Sequence, residues 1–205
     1  MKKVLIIDYD MGNIDSISRA IEECGGEPIV SNRYSDFEQV SLIILPGVGS
    51  FATALKNIEK YGLKPIIIEQ VLEKNKPLLG ICLGMQILAT KGYEGGETEG
   101  IGLIEGEVVL LKSDDPKTRI PHVGWNEVIF NKPSPLFNNL KSGRDFYFVH
   151  SYNFVCKNED DILAYTPYCG EFVSVVGHGN IYGVQFHPEK SQFAGFEILK
   201  NFLEL

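Results

Sequence analysis

Short apolar runs alternate with segments of helical period along the first half of the chain. Lys3–Asp8 (KVLIID) predicts a buried strand. Ile14, Ile17, Ala20, Ile21 and Cys24 then recur at helical spacing, and Gly25-Gly26 end that helix. Pro28–Val30 predicts a second short strand. Ser41–Leu45 (SLIIL) predicts a third, closed by the loop Pro46-Gly47-Val48-Gly49. Helices are expected over Phe51–Lys60 and Pro65–Lys74, the second with proline in its first turn, where a missing N–H costs nothing. Pro77–Ile81 (PLLGI) predicts another strand, and a helix is expected over Met85–Lys91. Strands that are apolar throughout and separated by helices call for a parallel sheet covered on both faces.

Beyond Glu105 the pattern shortens into strand-length runs separated by turns: Glu105–Leu111, Asn126–Phe130, Asp145–His150, Leu163–Thr166, Phe172–Gly177 and Ile181–Phe186. Several of these are expected to pair antiparallel. Phe193–Phe202 closes the chain as a helix. Tyr93–Gly102 (YEGGETEGIG) is glycine-rich and acidic. It lacks lysine and precedes no clear helix, so an ordered loop beside the sheet fits better than a phosphate cradle. No repeat, low-complexity tract or long linker divides the chain, and residues 1–205 are expected to form a single domain.

The composition is that of an ordinary globular chain, 44% hydrophobic and 22% charged over 205 residues, with room for a sizeable core. Lys and Arg number 19 against 27 Asp and Glu, a net charge of −8. That balance argues against nucleic acid or an anionic membrane as a partner, since both need a positive field. No run approaches the roughly 18 apolar residues of a membrane span, and the short run before Asp8 lacks the cleavage site of a secretion signal. None of Cys24, Cys82, Cys156 and Cys169 forms a C-x-x-C pair, so reduced thiols in a cytoplasmic protein are expected. The four histidines lack metal-binding spacing, and neither metal nor cofactor is expected.

Gly80-Ile81-Cys82-Leu83-Gly84 follows an apolar strand and opens a predicted helix. This is G-x-S-x-G with cysteine in place of serine. A sharp strand-to-helix turn crowds its flanks, which glycines relieve, and thrusts the central side chain above the sheet edge. N–H groups of the helix start favour thiolate, the nucleophilic form. The N–H of Leu83 is placed to donate to an oxyanion. Taken alone, the match also fits a small buried cysteine in a tight turn. Gln185-Phe186-His187-Pro188-Glu189 runs out of the last predicted strand, Ile181–Phe186. A cysteine nucleophile needs a base, and the base needs an orienting partner. His187 can take the thiol proton, and Glu189, at i+2 on extended chain, shares its side and can hold the far ring nitrogen. His178 reads as an exposed turn residue, and His122 and His150 lack an acidic neighbour. The Pro46–Gly49 loop ends a parallel strand, the edge at which α/β ligands bind, and could supply a second oxyanion N–H. By itself it fits many tight turns.

These strings resemble a family. GICLGMQ at Gly80–Gln86, LPGVGSF at Leu45–Phe51 and QFHPEKS at Gln185–Ser191 resemble class I glutamine amidotransferases. IDYDMGN at Ile7–Asn13, PHVGWN at Pro121–Asn126 and YFVHSY at Tyr147–Tyr152 are similar to the glutaminase subunits of imidazole glycerol phosphate synthases. The resemblance implies the three-layer α/β fold of that family: a mixed, mostly parallel sheet with helices on both faces and extra antiparallel strands in the C-terminal half. It implies a Cys82–His187–Glu189 triad hydrolysing L-glutamine to glutamate and ammonia. Gln86 and Glu94 would help hold the substrate, Glu94 suiting its α-ammonium group, with backbone groups of Gly47, Ser151 and Tyr152. Val48-Gly49 would complete the oxyanion hole with Leu83, after a backbone rearrangement triggered by a partner. The implied partner is a (β/α)8 barrel synthase subunit forming a heterodimer through Asn13, Trp125, Tyr147 and Lys190, and making imidazole glycerol phosphate and aminoimidazole carboxamide ribotide for histidine biosynthesis.

One residue departs from the pattern. Asp10 stands where the family has glycine, and a position with φ > 0 would tolerate Asp at some cost. That change bears on the partner before it bears on glutaminase chemistry. Similar glutaminases serve sugar-amidating synthetases of surface-polysaccharide pathways, and Glu94–Ile104 (EGGETEGIGLI) resembles that branch. An unrelated cysteine hydrolase of the γ-glutamyl hydrolase kind, acting without a partner, and a non-catalytic binding module are the other readings.

Overall fold

The apolar runs of the first half form strands buried on both faces. A computed structural model describes residues 1–205. In it β1 (Lys3–Ile7), β2 (Glu27–Ser31), β3 (Leu42–Leu45) and β4 (Leu78–Ile81) lie parallel. Successive side chains point to opposite faces, so Leu5, Ile7, Ile43 and Leu45 enter one core while Val4, Ile6, Leu42 and Ile44 enter the other. The first core is closed by α3 (Phe51–Lys60) and α4 (Leu63–Ile68), which runs on as a π-helical turn over Glu69–Glu73. The second is closed by α1 (Ile14–Glu23) and α6 (Gln192–Leu203). A short α2 (Tyr34–Phe37), not expected from the sequence, buries Phe37.

The second half adds β5 (Lys91–Gly92), β6 (Thr98–Glu99), β7 (Gly106–Leu110), β8 (His122–Phe130), β9 (Arg144–His150), β10 (Tyr152–Cys156), β11 (Ile162–Thr166), β12 (Phe172–His178) and β13 (Ile181–Val184). The sheet order is β2-β1-β3-β4-β13-β12-β10-β7-β5-β6, with β11, β8 and β9 branching from β12. β13 is parallel to β4, and the pairings beyond it are antiparallel except β5 with β7. The mixed sheet with helices on both faces is therefore the architecture the sequence implies.

The helix expected over Met85–Lys91 is corrected. Only α5 (Leu83–Gln86) forms. The chain then tightens through Leu88 N–H to Met85 O and Ala89 N–H to Gln86 O, while Ile101, Leu103 and Gly102 donate to the carbonyls of Ile87, Leu88 and Ala89. Those cross-chain bonds end the helix and turn residues 91–92 into strand. β8 begins four residues before the predicted Asn126, and β10 lies where no strand was predicted. Part of the Tyr93–Gly102 loop is itself strand, since β6 pairs with β5 at the sheet edge.

Candidate active site

The junction of β4 and β13 builds the site. Gly80 and Ile81 lie in register with Gly183 and Val184, so the residues leaving the two strands emerge side by side. Cys82 N–H donates to Val184 O at 2.8 Å, although the two are far apart along the chain. Cys82 takes φ 54° and ψ −109°, a left-handed conformation that costs a non-glycine residue about 1–3 kcal/mol. The neighbourhood forces it. A Cβ on Gly84 would collide with the Leu45 carbonyl oxygen, so only glycine lets α5 start this close to β3.

From β13 the chain passes through Gln185 and Phe186 to His187. Its N–H donates to Tyr147 O at 2.9 Å, and its carbonyl accepts from Ser191 Oγ at 2.6 Å. His187 Nδ1 lies 2.8 Å from Glu189 Oε1, with both side chains almost fully buried. Burial opposes charge on the ring, but the Cys82 sulfur and the Glu189 carboxylate outweigh it and push the imidazole up to about 10. The ring is thus held as imidazolium at neutral pH. Nε2 is buried without a closed hydrogen bond, because the sulfur is aligned instead with Val149 O at 3.9 Å and Gln185 Nε2 at 3.6 Å. The Cys82 sulfur still stands close enough to favour the protonated ring, by hydrogen bonding and by charge.

Cys82 and His187 line one cavity of about 270 Å³, together with Val48, Gly49, Leu83, Gln86, Glu94, Ser151 and Tyr152. Glu189 stands behind the histidine. Gly47 lies outside the lining, packed against Leu83, Gly84 and the Tyr9 hydroxyl. Leu83 heads the first turn of α5, where helix N–H groups lack intrahelical partners. Gly49 has φ 109°, open to glycine, and Met11 Cε lies 2.9 Å from where a Cβ would stand. Glu94 Oε2 accepts from Phe51 N at 2.7 Å, so one carboxylate oxygen caps α3. Gln86 Nε2 donates to Tyr152 O at 2.8 Å and to Gln185 Oε1 at 3.0 Å. The carbonyls of Tyr152 and Ser151 are both engaged within the fold.

The pattern of the family Glutamine amidotransferase class-I matches residues 5–205. The chain belongs to that family. It is 44% identical over 202 residues to the imidazole glycerol phosphate synthase subunit HisH 1 of Campylobacter jejuni, covering 98% of this chain and 100% of that protein. It is 45% identical to the HisH subunit of Aquifex aeolicus, over 98% of this chain and 95% of that protein. The solved PurLQS structure from Thermotoga maritima shares the fold, with TM-score 0.75 at 22% identity over 100% of this chain and 99% of that one. The chain is accordingly an enzyme, and cysteine is the nucleophile general to its family.

Three of the four interface candidates of this amidotransferase meet on the outer face of β8 and β9. Trp125, half exposed, packs edge-on to Tyr147 with centroids 6.1 Å apart, and Lys190 Nζ lies 5.9 Å above the Tyr147 ring. Asn13 sits at the head of α1. Asp10 takes φ 64°, and its carboxylate accepts from Tyr61 Oη at 2.5 Å and Lys60 Nζ at 3.2 Å, which holds it below the usual carboxylate range. His178 is exposed, at the end of β12, and pairs with Asp161 at 2.9 Å.

Two groups were missed as site residues by reading motifs alone. In the sequence Gln185 is simply the residue that opens QFHPE. His150 and His122, set aside for want of an acid, face each other: His150 Nε2 lies 3.0 Å from His122 Nδ1, and His150 Nδ1 lies 2.8 Å from Tyr152 O. Burial pushes both rings down to about 4, so both are neutral. The four cysteines are free, and no helix is long and apolar enough to cross a membrane.

Proposed function

We propose that this chain is the glutaminase subunit of an imidazole glycerol phosphate synthase, hydrolysing L-glutamine and passing ammonia to a synthase subunit. The observation that carries the chemistry is His187, fixed on Nδ1 by Glu189 at 2.8 Å and lining the same cavity as Cys82. The full-length likeness to HisH subunits supports the choice of synthase.

The Cys82 thiolate attacks the side-chain amide carbon of glutamine. Negative charge moves onto the amide oxygen, facing the Leu83 N–H and, after a backbone turn at Val48-Gly49, a second donor. The His187 imidazolium gives its proton to the departing nitrogen, the C–N bond breaks, and a thioester remains. The neutral ring then takes a proton from water as the hydroxide adds to the thioester. The C–S bond breaks, glutamate leaves, and sulfur departs as thiolate beside imidazolium, the starting charge state. Glu189 holds the ring in one orientation throughout. Gln86, the unengaged part of Glu94, and backbone groups of Ser151 and Tyr152 hold the substrate, and Gly47, outside the cavity, is left without that role.

The partner is a (β/α)8 barrel docking on the Trp125–Tyr147–Lys190 face, with Asn13 at its border, in a cytoplasmic heterodimer. An exposed aromatic beside a ring–cation pair suits an interface anchor. One continuous sheet supports reading residues 1–205 as one domain. Asp10 and the Glu94–Ile104 segment favour a second reading for the partner, a sugar-amidating synthetase. Co-purification from the source cell followed by a glutaminase assay separates the two. Recovery of a barrel synthase that accelerates hydrolysis supports the first; a sugar-modifying enzyme in its place overturns it.

A further inference from the structure

We propose that Gln185 is a further catalytic residue, its side-chain N–H donating to the Cys82 sulfur and holding it as thiolate before glutamine arrives and again as the thioester breaks. The proposal rests on the glutaminase reading of this site.

Cys82 is only 6% exposed, so water contributes little to solvating a sulfur anion there. The helix it heads is a single turn of four residues. Two polar groups are aligned with the sulfur. The Val149 carbonyl at 3.9 Å can accept from a thiol but repels an anion, whereas Gln185 Nε2 at 3.6 Å can only donate. Of these two contacts only that of Gln185 favours thiolate, and it adds to the charge of the His187 imidazolium.

The direction of that amide follows from its neighbours. Tyr152 O is a carbonyl and can only accept, so Gln86 must turn its NH₂ toward it, at 2.8 Å. The same NH₂ lies 3.0 Å from Gln185, whose facing atom must then be its oxygen. This leaves the Gln185 NH₂ for sulfur. A flipped amide would set two NH₂ groups against each other and a carbonyl against the anion. The same reasoning runs on to the histidines. His150 Nδ1 donates to Tyr152 O, so neutral His150 accepts at Nε2 from His122 Nδ1, and His122 accepts at Nε2 from Asn126 Nδ2 at 3.2 Å. Each amide and ring in this line is thereby given one orientation, and Gln185, wholly buried, is its end at the nucleophile.

A donor that does not titrate complements His187. The histidine must give its proton to the leaving nitrogen, and afterwards cannot stabilise sulfur as a cation until it has taken a proton from water. The Gln185 N–H stays in place through both half-reactions and is aimed at the charge that returns to sulfur when the C–S bond breaks.

The test is the pH profile of iodoacetamide alkylation at Cys82 in the full-length chain, read by mass spectrometry, for wild type, Gln185→Met and Gln185→Glu. A hydrogen bond to a charged group of ordinary strength moves the Gln185→Met profile up by about one pH unit. The less stabilised sulfur is more nucleophilic, which returns about half of that loss on a logarithmic scale. Alkylation well below the wild-type midpoint should therefore fall roughly threefold, and well above it the variant should overtake wild type by a similar factor. Gln185→Glu, which sets a carboxylate against the sulfur, should move the profile further. Profiles that superimpose on wild type, or that drop by one factor at all pH values, overturn the proposal, since a merely structural role has no crossing point. Should the variants not fold, wild type decides. The Gln185 side-chain amide resonances should follow the titration of Cys82 and change on alkylation; resonances indifferent to both overturn the proposal. Failure of the glutaminase reading is separate, appearing as absent glutamine hydrolysis with the partner while the alkylation profiles still cross.

Discussion

His187 and His150 are both nearly buried, at 2% and 6% exposure, and each makes a 2.8 Å contact through Nδ1. They nevertheless carry different charges. His187 meets a carboxylate on one nitrogen and a sulfur that can ionise near the other, and is pushed up to about 10. His150 meets a backbone carbonyl and a second neutral imidazole, and burial takes it down to about 4. Depth is similar, so the charge of the partners decides the protonation state. One histidine becomes a proton carrier, and the other becomes a fixed link in a neutral hydrogen-bonded line.

The comparison breaks most sharply at the nucleophile. Cys82→Ala should abolish glutamine hydrolysis by the chain with its partner, a loss on the order of 10⁴-fold or more, measured as glutamate release; retained hydrolysis would sink the assignment. Glu189→Gln keeps the shape but removes the charge that separates His187 from His150. It should cost about 10³–10⁴-fold in turnover, and the His187 ring should titrate lower by NMR.

Acid stability tests the neutral pair. His122 and His150 bind a proton more weakly when folded than the ordinary imidazole at about 6.5, with folded values near 4. The unfolded chain therefore takes up protons first as pH falls, and stability should decline between about pH 6.5 and 4, as denaturant midpoints would show. His187 has the opposite sign. Its contribution is fully present below about 6.5 and is lost as pH rises through about 10. His150→Phe leaves a buried N–H of His122 without its acceptor and should destabilise the fold by about 1–3 kcal/mol, flattening the decline on the acid side. Asp10→Gly should matter least. It relieves the left-handed strain but loses the exposed contacts to Tyr61 and Lys60, so the unfolding midpoint should drop only slightly.

Much of the site was legible because its signals are local. An apolar strand followed by Gly80-x-Cys82-x-Gly84 announces a crowded turn, and His187-Pro188-Glu189 sets a base and its orienter two residues apart, although a 3₁₀ turn over Pro188–Lys190, not the expected extended chain, brings them together. The elements misread were those decided by distant chain. Ile87–Ala89 have helical spacing, but their carbonyls are claimed by residues 101–104. β10 follows β9 after one residue and takes its place from pairing with β7 and β12. Gln185 looked like ordinary strand-end sequence because only Gln86 and the Tyr152 carbonyl give its amide a direction.

The order of residues determined which segments become strands, where the chain must turn sharply, and which side chains can carry a proton or attack a carbonyl. Each follows from torsional preference and polarity within a few residues. Tertiary structure alone decided that the ends of β4 and β13 lie side by side, that one histidine faces a carboxylate and another a carbonyl, and that a glutamine amide is turned toward sulfur. Those outcomes depend on strand register and on the dielectric and partners that folding supplies, which no short stretch of chain contains.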